Sequence, residues 1–166
     1  MIEVAKLSDH YDVRALRESD ADAVLALCQG NPLFYQYCEA APTQAQVLSD
    51  MRIAPPGISR SHKHFVGYYE GPTLVAAMDL VDGHPEPDIA YIGFFMMDSQ
   101  FQGRGIGSAI IREVAAYLRS DGKTAVRLAI NKGNPQSTHF WMKNGFAVIR
   151  EVAGNGRTLL EAEHRL

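Results

Sequence analysis

The 166-residue chain is short of several things, and each shortage closes off a class of function. It has two cysteines, Cys28 and Cys38, without the paired spacing of a zinc site and too few for a disulfide framework, so free thiols in a reducing compartment are expected. It has no excess of positive charge: 16 Lys and Arg stand against 19 Asp and Glu, giving a net charge of −3. That balance argues against a nucleic-acid partner, whose footprint is a basic stripe. The basic segment SRSHKH, Ser59 to His64, is short and reads as a solvated loop. No apolar run reaches the roughly 20 residues of a membrane span. The opening MIEVAKLSDHYDVR has no apolar signal core, so no membrane partner and a cytoplasmic location are expected. There is no internal repeat, no low-complexity tract and no metal-ligand spacing, and no metal is expected. What remains, 46% hydrophobic and 21% charged residues, is an ordinary globular mix whose length suits one domain over residues 1–166.

Periodicity and punctuation give an alternating order of elements. Val13 to Leu16 reads as a short strand. Ser19 is the expected N-cap of a helix whose apolar face is Val24, Leu25, Leu27 and Cys28, stopped by Gly30–Asn31–Pro32. The aromatic stretch LFYQYCEAAP, Leu33 to Pro42, follows. Thr43 caps a second predicted helix reaching Met51. Phe65 to Glu70 and Thr73 to Val81 flank Gly71–Pro72 as a hairpin. After the polar turn DGHPEPD, Ile89 to Met97 is apolar on both faces, the mark of a strand in the middle of a sheet. Ile106, Ile110, Val114 and Leu118 then form one helical stripe, ended by Asp121–Gly122. Thr124 to Ile130 is a strand, and Asn134–Pro135 opens a helix that closes at Asn144–Gly145. Phe146 to Val152 and Arg157 to Glu163 form a terminal hairpin around Gly154–Asn155–Gly156. The pattern is a mixed α/β domain, β-αα-βββ-α-β-α-ββ.

Between the buried strand and the striped helix lies Gln102-Gly103-Arg104-Gly105-Ile106-Gly107-Ser108, three glycines in five residues. A helix start exposes unpaired N–H groups and the positive end of the helix dipole. A glycine-rich turn lets that backbone touch a phosphate closely, and Arg104 adds a cation nearby. A triphosphate loop needs Gly-Lys followed by Ser or Thr, which is missing. A dinucleotide fingerprint needs G-x-G-x-x-G near the first strand, whereas these glycines read G-x-G-x-G deep in the chain.

Gln102-x-x-Gly105-x-Gly107 resembles the [Q/R]-x-x-G-x-[G/A] signature of the GNAT superfamily of acyl-CoA-dependent N-acetyltransferases. NPQSTHFWMKNGF, Asn134 to Phe146, is similar to that family's second conserved segment at Asn134, Phe140, Gly145 and Phe146. The resemblance implies a mixed, mostly antiparallel sheet of about six or seven strands flanked by helices, with a splay between the fourth and fifth strands. It implies acetyl-CoA as co-substrate, a small-molecule or peptide amine as acceptor, direct transfer in a ternary complex, and a homodimer as a further expectation. Backbone from Gln102 through Gly103, Arg104, Gly105, Ile106 and Gly107 to Ser108 would hold the pyrophosphate. Phe95, Met96 and Met97 would pair with the pantetheine arm, Asn134 would contact the cofactor from the other side, and Lys143 stands near the adenosine phosphates or on the exposed helix surface.

Acetyl transfer to an amine requires a neutral amine, a donor for the developing oxyanion and an exit for the thiolate. Many family members place a tyrosine, as acid, where this chain has Trp141, and an indole N–H is no useful acid. That substitution favours an alternative reading, a non-catalytic acyl-CoA-binding sensor or regulatory module. His139 is the nearby titratable candidate. Asp79, Asp82, His84, Glu86 and Asp88 flank the entrance to the central strand; from this group Glu86 and Asp88 join His139 as candidate catalytic residues. Tyr35, Tyr37 and Glu39 in the aromatic stretch, and Tyr91 on the central strand, are the candidate acceptor-binding residues.

Overall fold

Thr73 to Asp82 and Ile89 to Met97 bury residues on both faces, and so occupy the middle of a seven-stranded sheet. The computed structural model describes every residue except Asn155, so that part of the expected terminal turn lies outside the described residues. The strands are β1 (Asp12–Ala15), β2 (Lys63–Glu70), β3 (Thr73–Asp82), β4 (Ile89–Met97), β5 (Ala125–Asn131), β6 (Ala147–Gly154) and β7 (Arg157–Arg165). Their order across the sheet is β1-β2-β3-β4-β5-β7-β6. Every pair is antiparallel except β4 with β5. A parallel neighbour needs a crossover, and helix α4 (Ile106–Ser120) supplies it.

The remaining helices are α1 (Ala21–Gln29), α2 (Pro32–Tyr35), α3 (Gln44–Arg52) and α5 (Pro135–Lys143). Thr43 caps α3 as expected, its hydroxyl oxygen accepting from the Gln46 amide at 3.1 Å. Ser19 does not cap α1. It sits inside a 3₁₀ turn, Glu18–Asp20, where Asp20 Oδ2 accepts from the Arg17 amide at 2.7 Å. That turn tightens the entry, and the helix proper starts after Asp20. Pro32 does more than end α1: it opens α2, where a missing N–H costs nothing.

Two hydrophobic clusters lie on opposite faces of the sheet. Ala76, Met78 and Leu80 belong to the larger one, with Ile110, Ile111, Val114 and Leu118 of α4 and Trp141 of α5. Ala77, between them in sequence and therefore on the other face, belongs to the smaller one, with Val24 and Cys28 of α1 and Val47 of α3. The stripe read from α4 is thus the stripe that is buried. Among the described residues no helix is long and apolar enough to cross a membrane.

Candidate functional site

β4 and β5 pair for only four residues, Ile89 with Ala125 through Ile92 with Leu128. Beyond that point they diverge. The register between β3 and β4 jumps at the same place: Leu80 faces Ile92, but Asp79 faces Phe94, leaving Gly93 as an extra, bulged residue. The bulge turns β4 away from β5, and the expected splay is present. Its consequence is a cavity of about 430 Å³, lined on one side by Gly93 to Met97 and on the other by Ala129 to Asn131.

The glycine loop closes one end of this cavity. Gly103 and Gly105 have φ of 75° and 74°, the left-handed region that disfavours side chains. A Cβ at either would meet nothing within 4 Å, so backbone conformation, and not local crowding, calls for glycine there. Gly107 differs: its Cβ would come within 3.0 Å of Met97 Sδ and 3.2 Å of Phe140, so it lets α4 pack on α5. The first backbone bond of α4 is from the Ala109 amide to the Gly105 carbonyl at 3.0 Å. Among the described residues, the amides of Gly103 through Ser108 have no backbone partner. A run of unpaired N–H groups at the start of a fifteen-residue helix is an anion cradle by construction.

The loop is held by side chains rather than by its own backbone. Gln102 Nε2 donates to Asn31 Oδ1 at 2.6 Å and to the Met97 carbonyl at 3.1 Å. Asn31 Nδ2 donates to the same carbonyl at 2.8 Å. The glutamine of the signature therefore ties the end of β4 to the turn between α1 and α2. Asn31 stood in the sequence only as part of a helix stop, and nothing there signalled this contact across 71 residues.

Of the cofactor candidates, Phe95, Met96, Met97, Gln102, Gly103, Gly105, Ile106, Gly107 and Ser108 line the cavity. Arg104 does not; its guanidinium lies 5.8 Å from the Phe101 ring centre. Asn134 does not either. It is 1% exposed, and its Oδ1 accepts from the Ser137 amide at 3.2 Å while its Nδ2 donates to Ser137 Oγ, so it caps α5. The cavity wall on that side is Asn131, Gln136, Ser137, His139, Phe140, Trp141 and Lys143. Trp141 is 9% exposed and packs edge-on against Phe140 and Phe146, with Phe95 6.0 Å away. It is a packing residue at the cavity wall.

The catalytic candidates separate. His139 stands exposed on the rim of the cavity. Glu86 and Asp88 lie before the first residue of β4, at the end opposite the splay, and neither lines the cavity. The Thr124 hydroxyl donates to Asp88 at 2.7 Å, which holds that carboxyl below its usual range as a solvated anion. Tyr91, paired with Arg127, also stands before the splay; burial pushes its phenol up, and its ring lies edge-on to His84 at 5.3 Å. Tyr35 turns into the smaller core, where burial and the neighbouring Cys28 thiol push its phenol up. Tyr37 and Glu39 follow α2 without reaching the cavity wall; Phe34 of α2 lines it instead. Phe34, Tyr35 and Tyr37 are each half-buried along this short segment, so the sequence did not choose between these aromatics.

A buried ionic cluster lies behind the bulge. Lys63 Nζ meets Asp79 Oδ2 at 2.6 Å, with side-chain exposures of 5% and 11%. Burial pushes the Asp79 carboxyl up, against the hydrogen bond and charge of Lys63. Asp50 of α3 is likewise pushed up by burial, although Gln46 Nε2 donates to it at 2.8 Å. Among the described residues, no group of three or more His, Cys, Asp or Glu is arranged to hold a metal.

The fold that carries this site is shared with known proteins. An acetyltransferase from Thermus thermophilus superposes with a TM-score of 0.73 over 93% of this chain and 96% of that one, at 23% identity. The paiA N-acetyltransferase from Thermoplasma acidophilum, solved in complex with coenzyme A, gives 0.67 over 93% and 98%, at 17% identity. At these identities the likeness is one of fold. In sequence, mycothiol acetyltransferase of Propionibacterium freudenreichii subsp. shermanii is 27% identical over 73 residues, which is 44% of this chain but 22% of that longer protein. The family whose pattern matches across residues 27–146 spans the end of α1, the bulged strand, the glycine loop and the whole of α5. Since every part of the cavity just described falls inside that span, the chain belongs to the Acetyltransferase (GNAT) family.

Proposed function

We propose that this protein transfers an acetyl group from acetyl-CoA to a primary amine, by direct attack within a ternary complex. The observation that carries the reading is the row of partnerless amides from Gly103 to Ser108 at the end of an opened strand pair. Those amides, with the dipole of α4, fit a pyrophosphate. Past Ile92, β4 has no β5 partner, so its free edge can take the amide-bearing pantetheine arm as an added strand. Phe95, Met96 and Met97 supply that edge. The acetyl thioester supplies the electrophile, and it would stand toward the bulge at Gly93, away from the loop.

The chain's own groups then have defined tasks. A backbone N–H of β4 beyond the last β5 pair donates to the oxyanion as the amine attacks. Phe95, Phe140 and Trp141 keep water from that wall of the cavity. Trp141 contributes packing and no proton, so the thiolate leaves without an acid at that position. The acceptor is a small-molecule or peptide amine that enters past Phe34 and Asn31. Two measurements test the proposal. Coenzyme A is expected to raise the melting temperature by mass action. Thiol release from acetyl-CoA is expected to depend on an added amine, in a panel of small amines and peptide N-termini. Stabilisation by coenzyme A with no amine-dependent release would reduce the protein to an acyl-CoA-binding module.

A further inference from the structure

Asn31 joins α1 to α2 and occupies the N-cap position of α2. Asparagine at that position ordinarily bonds the first free amides of its own helix. Here it makes no such bond. Its side chain is spent on other elements instead. Nδ2 donates to the Leu27 carbonyl of α1 at 2.9 Å and to the Met97 carbonyl of β4 at 2.8 Å, and Oδ1 accepts from Gln102 Nε2 at 2.6 Å. Gly30 lies against the same segment, since a Cβ on it would stand 3.6 Å from Ser99 Oγ. The turn before α2 is thus seated on the end of β4 and on the first residue of the glycine loop. Four residues are too few for a helix to hold by itself. α2 has two anchors: Tyr35, packed against the smaller core, and Asn31. Phe34, between them, is the α2 side chain on the cavity wall. Only the Asn31 anchor reaches the loop, where the amides from Gly103 to Ser108 have no backbone partner among the described residues.

We propose that Asn31 couples the two halves of the site: a diphosphate on the loop amides fixes Gln102, Gln102 fixes Asn31, and Asn31 holds α2 so that Phe34 walls the acceptor side of the cavity. The inference rests on the acetyl-transfer reading above and names the residue that carries binding energy from coenzyme to acceptor. The effect is passed between neighbours. A diphosphate bonded to the loop amides removes backbone freedom around Gly103 and Gly105, directly beside Gln102. A restrained Gln102 keeps both of its bonds, to Asn31 and to the Met97 carbonyl at 3.1 Å. Less entropy is then lost in holding Asn31, and α2 inherits the order. Linkage makes the effect mutual: an acceptor seated against Phe34 tightens coenzyme A by the same factor that coenzyme A tightens the acceptor. Asn31 is a positioning residue and takes no part in proton or acyl transfer.

The test uses the full chain and its Asn31→Ala variant, with coenzyme A as the probe. The rise in melting temperature that coenzyme A causes checks folding and the cofactor reading first. Hydrogen exchange then reads α2. The amides of Gln36, Tyr37 and Cys38 bond to the carbonyls of Pro32, Phe34 and Tyr35 at 3.2 Å, so they report whether α2 is held. In the parent, saturating coenzyme A is expected to slow their exchange about tenfold. In Asn31→Ala the thermal shift is expected to remain and this slowing to be lost. Acetyl transfer to ethylamine and to peptide N-termini gives the second reading: the acceptor KM of Asn31→Ala is expected to rise about tenfold, with a smaller change in kcat. A residue that only stabilised the fold would not separate coenzyme binding from its effect on α2. Equal protection by coenzyme A in parent and variant overturns the proposal. So does a parent that binds coenzyme A with these three amides unchanged, and so does a loss confined to kcat. Should Asn31→Ala fail to fold, Asn31→Asp decides. It keeps the size and the acceptor for Gln102 but sets a carboxylate oxygen against two carbonyls, so the protection must again be lost, and its retention is a refutation. A parent that coenzyme A does not stabilise overturns the proposed function together with this inference. A parent that shows the exchange effect but acetylates no amine overturns the proposed function alone.

Discussion

The two ends of the cavity are backed by different materials. The loop end is made of backbone: six consecutive amides without backbone partners, held in place by two left-handed glycines and a helix start. At the bulge end the wall is the bare backbone of Gly93, and behind it, outside the cavity lining, lie the paired side chains of Asp79 and Lys63, drawn from β3 and β2. Backbone sites recognise what is common to many ligands, such as a phosphate, and one short segment can encode them. Side-chain sites distinguish among ligands, and several segments must come together to form them. The loop end is accordingly the part a family can hold constant.

Substitutions at the two ends sharpen that contrast. The largest effect is expected from Gly105→Val. A β-branched residue in left-handed backbone costs up to about 3 kcal/mol, and each 1.4 kcal/mol is a factor of ten. Coenzyme A binding should weaken about a hundredfold by calorimetry if the loop must adopt this backbone, and an unchanged dissociation constant would remove the loop from the site. Gly93→Ala should act through space instead, since its Cβ meets Asp79 at 2.6 Å. The expected loss is about 1–3 kcal/mol of stability in denaturant melts, with much less change in coenzyme A affinity. Thr43→Ala removes the cap of α3, which carries Asp50, and should cost about 1 kcal/mol by the same melts. The smallest effect is expected from Asp88→Asn, which touches neither end. Its kcat should stay within twofold of the parent, and a large loss would relocate the chemistry to the far end of β4.

The order of elements was readable from periodicity and punctuation. Ile89 to Met97 was read with its observed bounds because a strand buried on both faces leaves an unbroken apolar run. The helix of Ile106, Ile110, Val114 and Leu118 was readable because one buried stripe repeats every turn. Asn134 was legible as a helix start, and the structure buries it with its side chain bonded to Ser137; a cap and a binding group are the same residue type in sequence. Glu86 and Asp88 drew notice as carboxylates beside a central strand, but the run gave no sign of which end opens. Asp79 stood in the same group of carboxylates, but the structure buries it within β3 beside Lys63, while Glu86 and Asp88 lie exposed in the turn before β4.

By itself, the sequence determined the succession of strands and helices and the bare amides before α4. Both are properties of neighbouring residues, set by side-chain period and by glycine's access to positive φ. The tertiary structure alone decided where β4 leaves β5, which aromatic of Phe34 and Tyr35 meets the cavity, and that Asp79 and Lys63 share one buried space. Those outcomes depend on register and on contacts between segments far apart in the chain. A one-residue slip in pairing reverses them without altering any local pattern.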